Sequence, residues 1–345
     1  MSQTQNVNRQ LLLVKRPVGE PTQDTLKLVE SDVPVPGENQ MLLQTEFLSL
    51  DPYMRGRMSD VPSYAPAVEI GGVMVGGTVA RVVRSNVDGF KKDDLVLSFN
   101  GWQDYALSDG AGVTNLGHSF AHPSWALGIL GMPGFTAWAG LQKIGEPQPG
   151  ETIVVAAATG PVGATVGQIG KILGCHVIGI AGGPDKCKYA VDELGFDACI
   201  DHKAQGFEDN LAKACVEGVD VYFESVGGKV LDAVIPLLNS NARIPLCGLV
   251  SQYNAIALPE GPDRMNWLMG QILRKKIKLQ GFIIFDDFGH LYPEFEKEMR
   301  QWVEQGRVKY REEIIDGLEN APEAFIGLLK GENFGKRVIR VRSDG

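Results

Sequence analysis

The six residues Ala158-Thr159-Gly160-Pro161-Val162-Gly163 carry the clearest chemical signal in the chain. They follow an apolar run, Thr152–Ala158, and precede a stretch that reads as a helix bearing Gly167 and Gly170. Set against G-x-G-x-x-G, Ala158 holds the first position, Gly160 the third and Gly163 the sixth. Gly160 lets backbone approach a pyrophosphate, and Gly163 lets the helix pack close to the sheet. The helix N-terminus, opened by Pro161 and Val162, offers N–H groups and partial positive charge to phosphates. Alone such a turn says little; between a buried strand and a helix it reads as a dinucleotide site. The next strand ends at Ala181-Gly182-Gly183, where a site for an unphosphorylated ribose would place an acid. No acid stands there. Lys186 is placed to meet a 2′-phosphate, with Lys188 as a second candidate. The alternatives are that both lysines only solvate a helix surface, or that Asp185 faces a ribose.

Other chemistry is missing from the pattern. The five cysteines, Cys175, Cys187, Cys199, Cys215 and Cys247, all lie in the second half, and no CxxC pair occurs. That suits a reduced interior more than a disulfide frame or a multi-cysteine zinc site. The β-rich first part holds only His118 and His122, which read as loop residues, and Ile70–Gly77 stands where a zinc alcohol dehydrogenase would carry a His-Glu pair. No metal is therefore expected. Gly-x-Ser-x-Gly is absent, so no hydrolase elbow is supported. What remains is hydride transfer, for which the protein must supply positioning and a donor to a developing oxyanion. Tyr53, Tyr64 and Tyr253, all in loop-like contexts, are the candidate donors, each of them also readable as a packing residue.

The elements that must hold these groups follow from rhythm. From Thr152 the apolar runs begin near Thr152, His176, Ala198, Val219, Ala242 and Lys278. A strand, crossover helix and two short loops need about that much chain per step. The inner runs are almost continuously apolar, as in strands covered on both faces of a parallel sheet. Six such strands predict a doubly wound sheet. Residues 1–120 instead read as short strands punctuated by Gly and Pro, such as Leu11–Val14, Met41–Leu43, Gly77–Val83 and Asp94–Phe99. Late in the chain, Phe295, Met299, Trp302 and Val303 mark a one-sided helix over Pro293–Arg307. A second helix runs over Asn320–Lys330, with Asn320 as its cap, and Lys336–Arg342 reads as a last strand.

With 345 residues, a formal charge of −9 and 22% charged residues, the chain is that of a globular protein of about two domains. The acidic balance argues against nucleic acid as a partner. No apolar run reaches the length of a membrane span, and the polar start shows no secretory signal, so a cytoplasmic location is expected.

Six stretches together carry a resemblance. They are Leu50-Asp51-Pro52-Tyr53-Met54-Arg55, Gly131-Met132-Pro133-Gly134-Phe135-Thr136-Ala137, Ala156–Gly163, Tyr222-Phe223-Glu224-Ser225-Val226-Gly227-Gly228, Cys247-Gly248-Leu249-Val250-Ser251-Gln252-Tyr253-Asn254, and Glu332-Asn333-Phe334-Gly335-Lys336. Running nearly end to end, they resemble the zinc-free medium-chain dehydrogenase/reductases, in the branch of prostaglandin reductases, leukotriene dehydrogenases and plant double-bond reductases. Met54–Asp60 and Gly71–Gly77 are most similar to the bacterial curcumin-reducing members.

The resemblance implies an α/β protein in which a Rossmann doubly wound parallel sheet, residues 127–306, binds NADPH. A β-rich GroES-like catalytic domain, residues 1–126 with 307–345, completes it, with the active site in the cleft between them. The implied reaction is NADPH-dependent reduction of the carbon–carbon double bond of an α,β-unsaturated carbonyl. By similarity, Tyr253 stands near the nicotinamide ribose and the substrate oxygen, while Tyr53 and Tyr64 line the substrate pocket. Gly160, Pro161, Val162, Gly163, Gly183, Lys186, His202, Ser225, Cys247, Tyr253, Phe282 and Asn333 form the cofactor set. Two positions depart from the family pattern: Ser225 stands where Asn is frequent, and His202 where Tyr is. The sixth strand, Lys278–Ile284, is expected at a sheet edge that pairs across a two-fold axis in a homodimer. The rivals are a quinone or ketone reductase on the same fold and a catalytically idle NADPH-binding protein.

Overall fold

The structure, a computed structural model, describes residues 7–257 and 261–342. The chain divides into two compact units, the first running to Gly128 and resuming at Glu312, the second spanning Ile129–Arg311.

In the first unit β1 (Val7–Leu13) and β2 (Leu26–Asp32) form an antiparallel pair. The chain continues through β3 (Met41–Ser49), the short α1 (Met54–Arg57), β4 (Thr78–Ser85), β5 (Leu95–Ser98), β6 (Tyr105–Ser108) and β7 (Thr114–Gly117). Strand β3 is central, pairing antiparallel with β4 and with β6. Its Met41 and Leu43 are fully buried against Ala80, Val82 and Val96. On another side Leu11, Leu13, Met54, Met58 and Trp102 close a second core, which anchors the loop carrying Asp51 and Tyr53.

The second unit opens with α2 (Met132–Ala139) and then alternates strand and helix: β8 (Thr152–Val155), α3 (Pro161–Ile172), β9 (His176–Ala181), α4 (Pro184–Asp192), β10 (Ala198–Asp201), α5 (Phe207–Ala214), β11 (Val219–Phe223), α6 (Gly228–Val234) and β12 (Leu238–Leu246). It ends with α7 (Met265–Lys275), β13 (Lys278–Gly281), α8 (Ile284–Phe288) and α9 (Tyr292–Glu304). The six strands are all parallel, in the order β10-β9-β8-β11-β12-β13. The chain winds outward one way from β8 and the other way from β11, so a topological switch point lies between those two strands. Helices on the faces explain the continuous apolar runs: Ile153, Val154, Val155, Ile178, Val221 and Tyr222 are all buried to 1% exposure or less.

Three strand boundaries differ from the sequence reading. Strand β8 stops at Val155, short of Ala158, because Ala157 takes the left-handed conformation (φ 50°) and turns the chain. Strand β12 begins at Leu238, ahead of Ala242, since Leu238 already pairs with Val219. Strand β13 ends at Gly281 and is exposed along its whole length, at the edge of the sheet.

The chain passes back to the first unit after Arg311, later than residue 306. Residues 307–311 stay with the second unit because the Lys309 N–H donates to Gln168 Oε1 (2.7 Å), Lys309 Nζ pairs with Glu193, and the Arg311 guanidinium covers the Tyr189 ring. Then come β14 (Glu312–Asp316), α10 (Ala321–Leu329) and β15 (Lys336–Arg340); β15 adds antiparallel to β3 and parallel to β14. Asn320 does not cap α10 through its side chain. A 3-10 turn, Leu318–Asn320, leads into the helix, and Asn320 Nδ2 donates back to the Asp316 carbonyl (2.7 Å). Among the described residues no helix is long and apolar enough to cross a membrane.

Candidate functional site

Parallel strands end on one rim, so the turns after β8 to β13 gather there whatever their spacing in sequence. Most of the proposed cofactor residues sit on those turns: Gly160–Gly163 after β8, Gly183 and Lys186 after β9, His202 after β10, Ser225 after β11, Cys247 after β12 and Phe282 after β13.

The first turn is tight for a definable reason. Gly160 precedes α3 with an extended backbone, and Pro161 opens the helix. A Cβ on Gly163 would lie 2.4 Å from the Ala157 carbonyl oxygen and 2.9 Å from that of Ala156, so only glycine lets the helix start so near the strand end. One on Gly167 would meet the Phe196 ring at 1.9 Å. The N–H groups that head α3 lack intrahelical partners, as at any helix start. A close-packed turn ending in an N-terminus aimed along the rim is the geometry that holds a pyrophosphate.

The second turn holds more positive charge than the sequence reading found. Gly183 (φ 103°) precedes α4, whose first turn carries Asp185 and Lys186. Lys188 pairs with Asp192 on its own helix. Lys203 Cε and His202 Nε2 each lie 3.0 Å from where a Gly182 Cβ would stand. Lys229 Nζ donates to the His202 carbonyl (2.8 Å). Burial, then Lys229 and Lys203, hold the His202 imidazole below its usual pKa, and its Nδ1 is buried without a hydrogen-bond partner. Asp201 is the hidden organiser here. Its Oδ1 accepts from the Gly183 and Lys203 N–H groups (both 2.9 Å), and against burial these bonds hold the carboxyl below the usual range.

The turns after β11 and β12 are stitched together. Glu224 is fully buried; Oε1 accepts from the N–H groups of Val226 (2.5 Å) and Gly227 (2.9 Å), and Oε2 from the Tyr222 hydroxyl (2.9 Å). Burial still raises its pKa. Gly227 and Gly228 both have positive φ. The N–H groups of Val250 and Ser251 donate to the carbonyls of Ser225 and Val226. Ser225 Oγ lies beside the half-buried Cys247 thiol, which burial pushes up to about 11. Tyr253 closes the 3-10 turn Val250–Gln252, and its hydroxyl lies 3.1 Å from the position of a Gly248 Cβ, directly past the end of β12. The Phe282 ring is buried against Gly140 and Phe288, so its side chain is part of the packing.

In the first unit, Tyr53 precedes α1. Its hydroxyl is buried with no hydrogen-bond partner, and burial followed by the Asp51 charge raises its pKa far above the phenol range. Tyr64, 58% exposed, and Arg57 lie within electrostatic reach of it. Asn333 Nδ2 donates to the Gly335 carbonyl (2.9 Å) and shapes the turn into β15. His118 meets Asp94, and His122 stacks on Trp125. Among the described residues no three His, Cys, Asp or Glu side chains converge as a metal site.

Comparison with known proteins fits this layout. Residues 9–116 match the family described as the N-terminal domain of oxidoreductase, and residues 161–305 the one described as zinc-binding dehydrogenase. The chain is 61% identical over 344 residues to the NADPH-dependent curcumin reductase of Escherichia coli K12, covering 100% of both. The chain belongs to the medium-chain dehydrogenase/reductase family, in the zinc-free branch of curcumin and prostaglandin reductases. Mouse prostaglandin reductase 1 is 38% identical over 93% of this chain and 95% of its own. The crystal structure of CurA from Vibrio vulnificus in complex with NADPH superposes with a TM-score of 0.95 at 61% identity, over 97% of this chain and 100% of that one. For a medium-chain dehydrogenase/reductase, the order β10-β9-β8-β11-β12-β13 supplies the Rossmann half, and the sheet built on β3 and β4 the β-rich half. Lys203, Lys229, Asp201 and Glu224 are the functional candidates that sequence reasoning missed.

Proposed function

We propose that this protein reduces the carbon–carbon double bond of α,β-unsaturated carbonyl compounds, curcumin-type enones among them, with NADPH. The observation that carries the reading is the fit of the second unit's rim to a phosphorylated dinucleotide: a Gly163 turn with no room for a side chain, followed by Lys186, Lys203 and Lys229 around one turn. The likeness to an NADPH-dependent curcumin reductase and to a prostaglandin reductase supports the substrate class. The second unit is the NADPH-binding domain and the first the GroES-like catalytic domain.

NADPH, when bound, supplies the hydride for the β carbon. The protein's part is to hold and to polarise. Gly160, Pro161, Val162 and Gly163 cradle the pyrophosphate, Lys186 with His202 and Gly183 takes the 2′-phosphate, and Ser225, Cys247, Asn333 and the Phe282 backbone complete the cofactor set. The Tyr253 hydroxyl donates a hydrogen bond to the substrate oxygen, whose charge grows as the enolate forms. Tyr53 and Tyr64 serve the substrate side. The exposed edge β13, with Leu279 at 43% exposure, is the surface that pairs two copies into a homodimer. Five free cysteines suit work in the cytoplasm.

The test is nicotinamide absorbance with an enone and either cofactor, with the product analysed. A saturated ketone from NADPH supports the reading; reduction of the carbonyl, or turnover of quinones alone, refutes it. Lys186→Ala should raise the KM for NADPH about 10- to 100-fold, the range of a hydrogen bond to a charged group. NADH kinetics and kcat at saturation should stay as they are. Equal losses with both cofactors would remove Lys186 from the 2′-phosphate.

His202 adds a pH dependence. Its pKa is lowered, so the ring is neutral at pH 7, and protonation costs the fold as pH drops below about 6.5. A bound 2′-phosphate opposes that cost. NADPH affinity of the native protein should therefore gain on that of His202→Ala as pH falls from 7 to 5.5, by up to about fivefold for a part-exposed pair. Parallel curves for the two proteins would show that His202 stays clear of the phosphate.

A further inference from the structure

No step of the proposed reaction uses Glu224, although it places a fully buried carboxylate directly past the end of β11. A buried acid is costly unless donors surround it, and here three do. Oε1 accepts from the Val226 N–H (2.5 Å) and the Gly227 N–H (2.9 Å). Oε2 accepts from the hydroxyl of Tyr222, itself fully buried in β11 (2.9 Å).

The far side of the same two peptide groups leads to Tyr253. A trans peptide unit is planar and points its N–H and C=O in opposite directions. The Val226 N–H shares its unit with the Ser225 carbonyl, and the Gly227 N–H shares its unit with the Val226 carbonyl. Those two carbonyls accept from the N–H groups of Val250 (3.2 Å) and Ser251 (3.0 Å), and Ser251 Oγ adds a third bond to the Val226 carbonyl (2.5 Å). Two peptide planes therefore stand between the carboxylate and the turn Val250–Gln252, which Tyr253 closes. The Glu224 backbone holds the other end of that segment, its carbonyl accepting from the Cys247 N–H (2.9 Å) and the Gly248 N–H (3.3 Å).

We propose that Glu224 is a positioning residue for Tyr253: its carboxylate sets the tilt of the two peptide planes, and the planes set the turn that aims the Tyr253 hydroxyl. The consequence for rate rests on the role proposed above for that hydroxyl; the hold on the turn does not.

The loop needs such a hold. Gly227 (φ 76°) and Gly228 (φ 55°) follow the two planes, and glycine supplies no stiffness of its own. Hydrogen bonds in series also strengthen one another, so an acceptor on the N–H side improves the carbonyls as acceptors for Val250 and Ser251. What the position demands is reach. A carboxylate one methylene shorter falls short of the two N–H groups that Glu224 spans. An amide of the same length does not: its oxygen accepts from Val226 and Gly227, and its nitrogen donates to the Tyr222 oxygen. Glutamine should therefore serve at this position better than aspartate, the reverse of what a residue needed for its charge would show.

The test uses the full-length protein and reads two quantities: kcat for enone reduction at saturating NADPH, and amide hydrogen exchange over residues 247–253 by mass spectrometry. Glu224→Ala should lower kcat by up to about 10²-fold, the cost of misplacing a reacting group by about 1 Å. Glu224→Asp, which stands in if the alanine variant does not fold, should lower it several-fold. Exchange over 247–253 should quicken in both, as the bonds from Val250 and Ser251 open more often. Glu224→Gln should keep kcat and exchange close to native. In a Tyr253→Phe background, Glu224→Asp should lower kcat by less than about twofold more, because the group it positions is already gone. The full several-fold loss in that background, native exchange in Glu224→Asp, or a glutamine variant as slow as the aspartate one would overturn the proposal. If exchange responds as expected while Tyr253→Phe keeps the native kcat, the hold on the turn stands and it is the role given to Tyr253 that fails.

Discussion

Tyr253→Phe is expected to lower kcat and kcat/KM for enone reduction together, by about 10²- to 10³-fold, the cost of removing one donor to a developing oxyanion. The case rests on where the hydroxyl is held. Tyr253 follows the turn Val250–Gln252, and that turn is anchored twice over to the loop after β11, through Val250 and Ser251. Gly248 leaves room for the phenol to lie past the end of β12, on the same rim as the Gly160–Gly163 turn. Removing one oxygen leaves the backbone anchors through Val250 and Ser251 in place, so the turn itself should persist. A drop in kcat with unchanged NADPH binding therefore measures the donor alone. An unchanged kcat would hand that role to the cofactor's ribose hydroxyl or to Tyr53. A matching loss of NADPH affinity would make Tyr253 a cofactor-holding residue.

The parts of this molecule that could be read from sequence are those where one physical demand dominates. The inner strands of the parallel sheet are buried on both faces, so Ile153–Val155 and Val177–Ile180 had to be apolar, and their spacing gave the crossover length. Gly163 could be read because a carbonyl 2.4 Å from its Cβ position admits no other residue. The failures share a cause, which is contact between segments that the chain does not bring together locally. Lys229, in the first turn of α6, meets the His202 carbonyl past the end of β10 across 27 residues, and no local pattern announces it. Lys203 could have been found, since it directly follows the residue proposed for the phosphate. Glu224 reads as an ordinary acid after an apolar strand, although its carboxylate ties down Val226 and Gly227. Ala157 ended β8 early because its left-handed backbone is set by the turn into α3, not by its own preference.

Lys336→Met is expected to destabilise the first unit by about 3–5 kcal/mol, the usual cost of stranding one member of a buried ion pair. Lys336 is 1% exposed, among the most enclosed long side chains of the unit, and its Nζ donates to Asp51 Oδ1 (2.7 Å) and to the Leu50 carbonyl (2.8 Å). Asp51 is 5% exposed, and its other oxygen accepts from Ser49 Oγ. Methionine fills the volume of the lysine stem but satisfies neither oxygen. The carboxylate must then stay charged without a cation or take up a proton, and either costs stability. Urea unfolding followed by tryptophan fluorescence, to which the fully buried Trp102 of this unit contributes, reads the effect. The double variant Asp51→Leu/Lys336→Met should recover a large part of the loss, because removing both charges removes the penalty of stranding one. A loss below about 1 kcal/mol would place the pair with exposed ones such as Lys188–Asp192. The consequence reaches the site as well. Asp51 stands two residues before Tyr53, and the pair fixes the start of the loop that buries the Tyr53 hydroxyl. In folded Lys336→Met protein, the KM for enone should therefore rise.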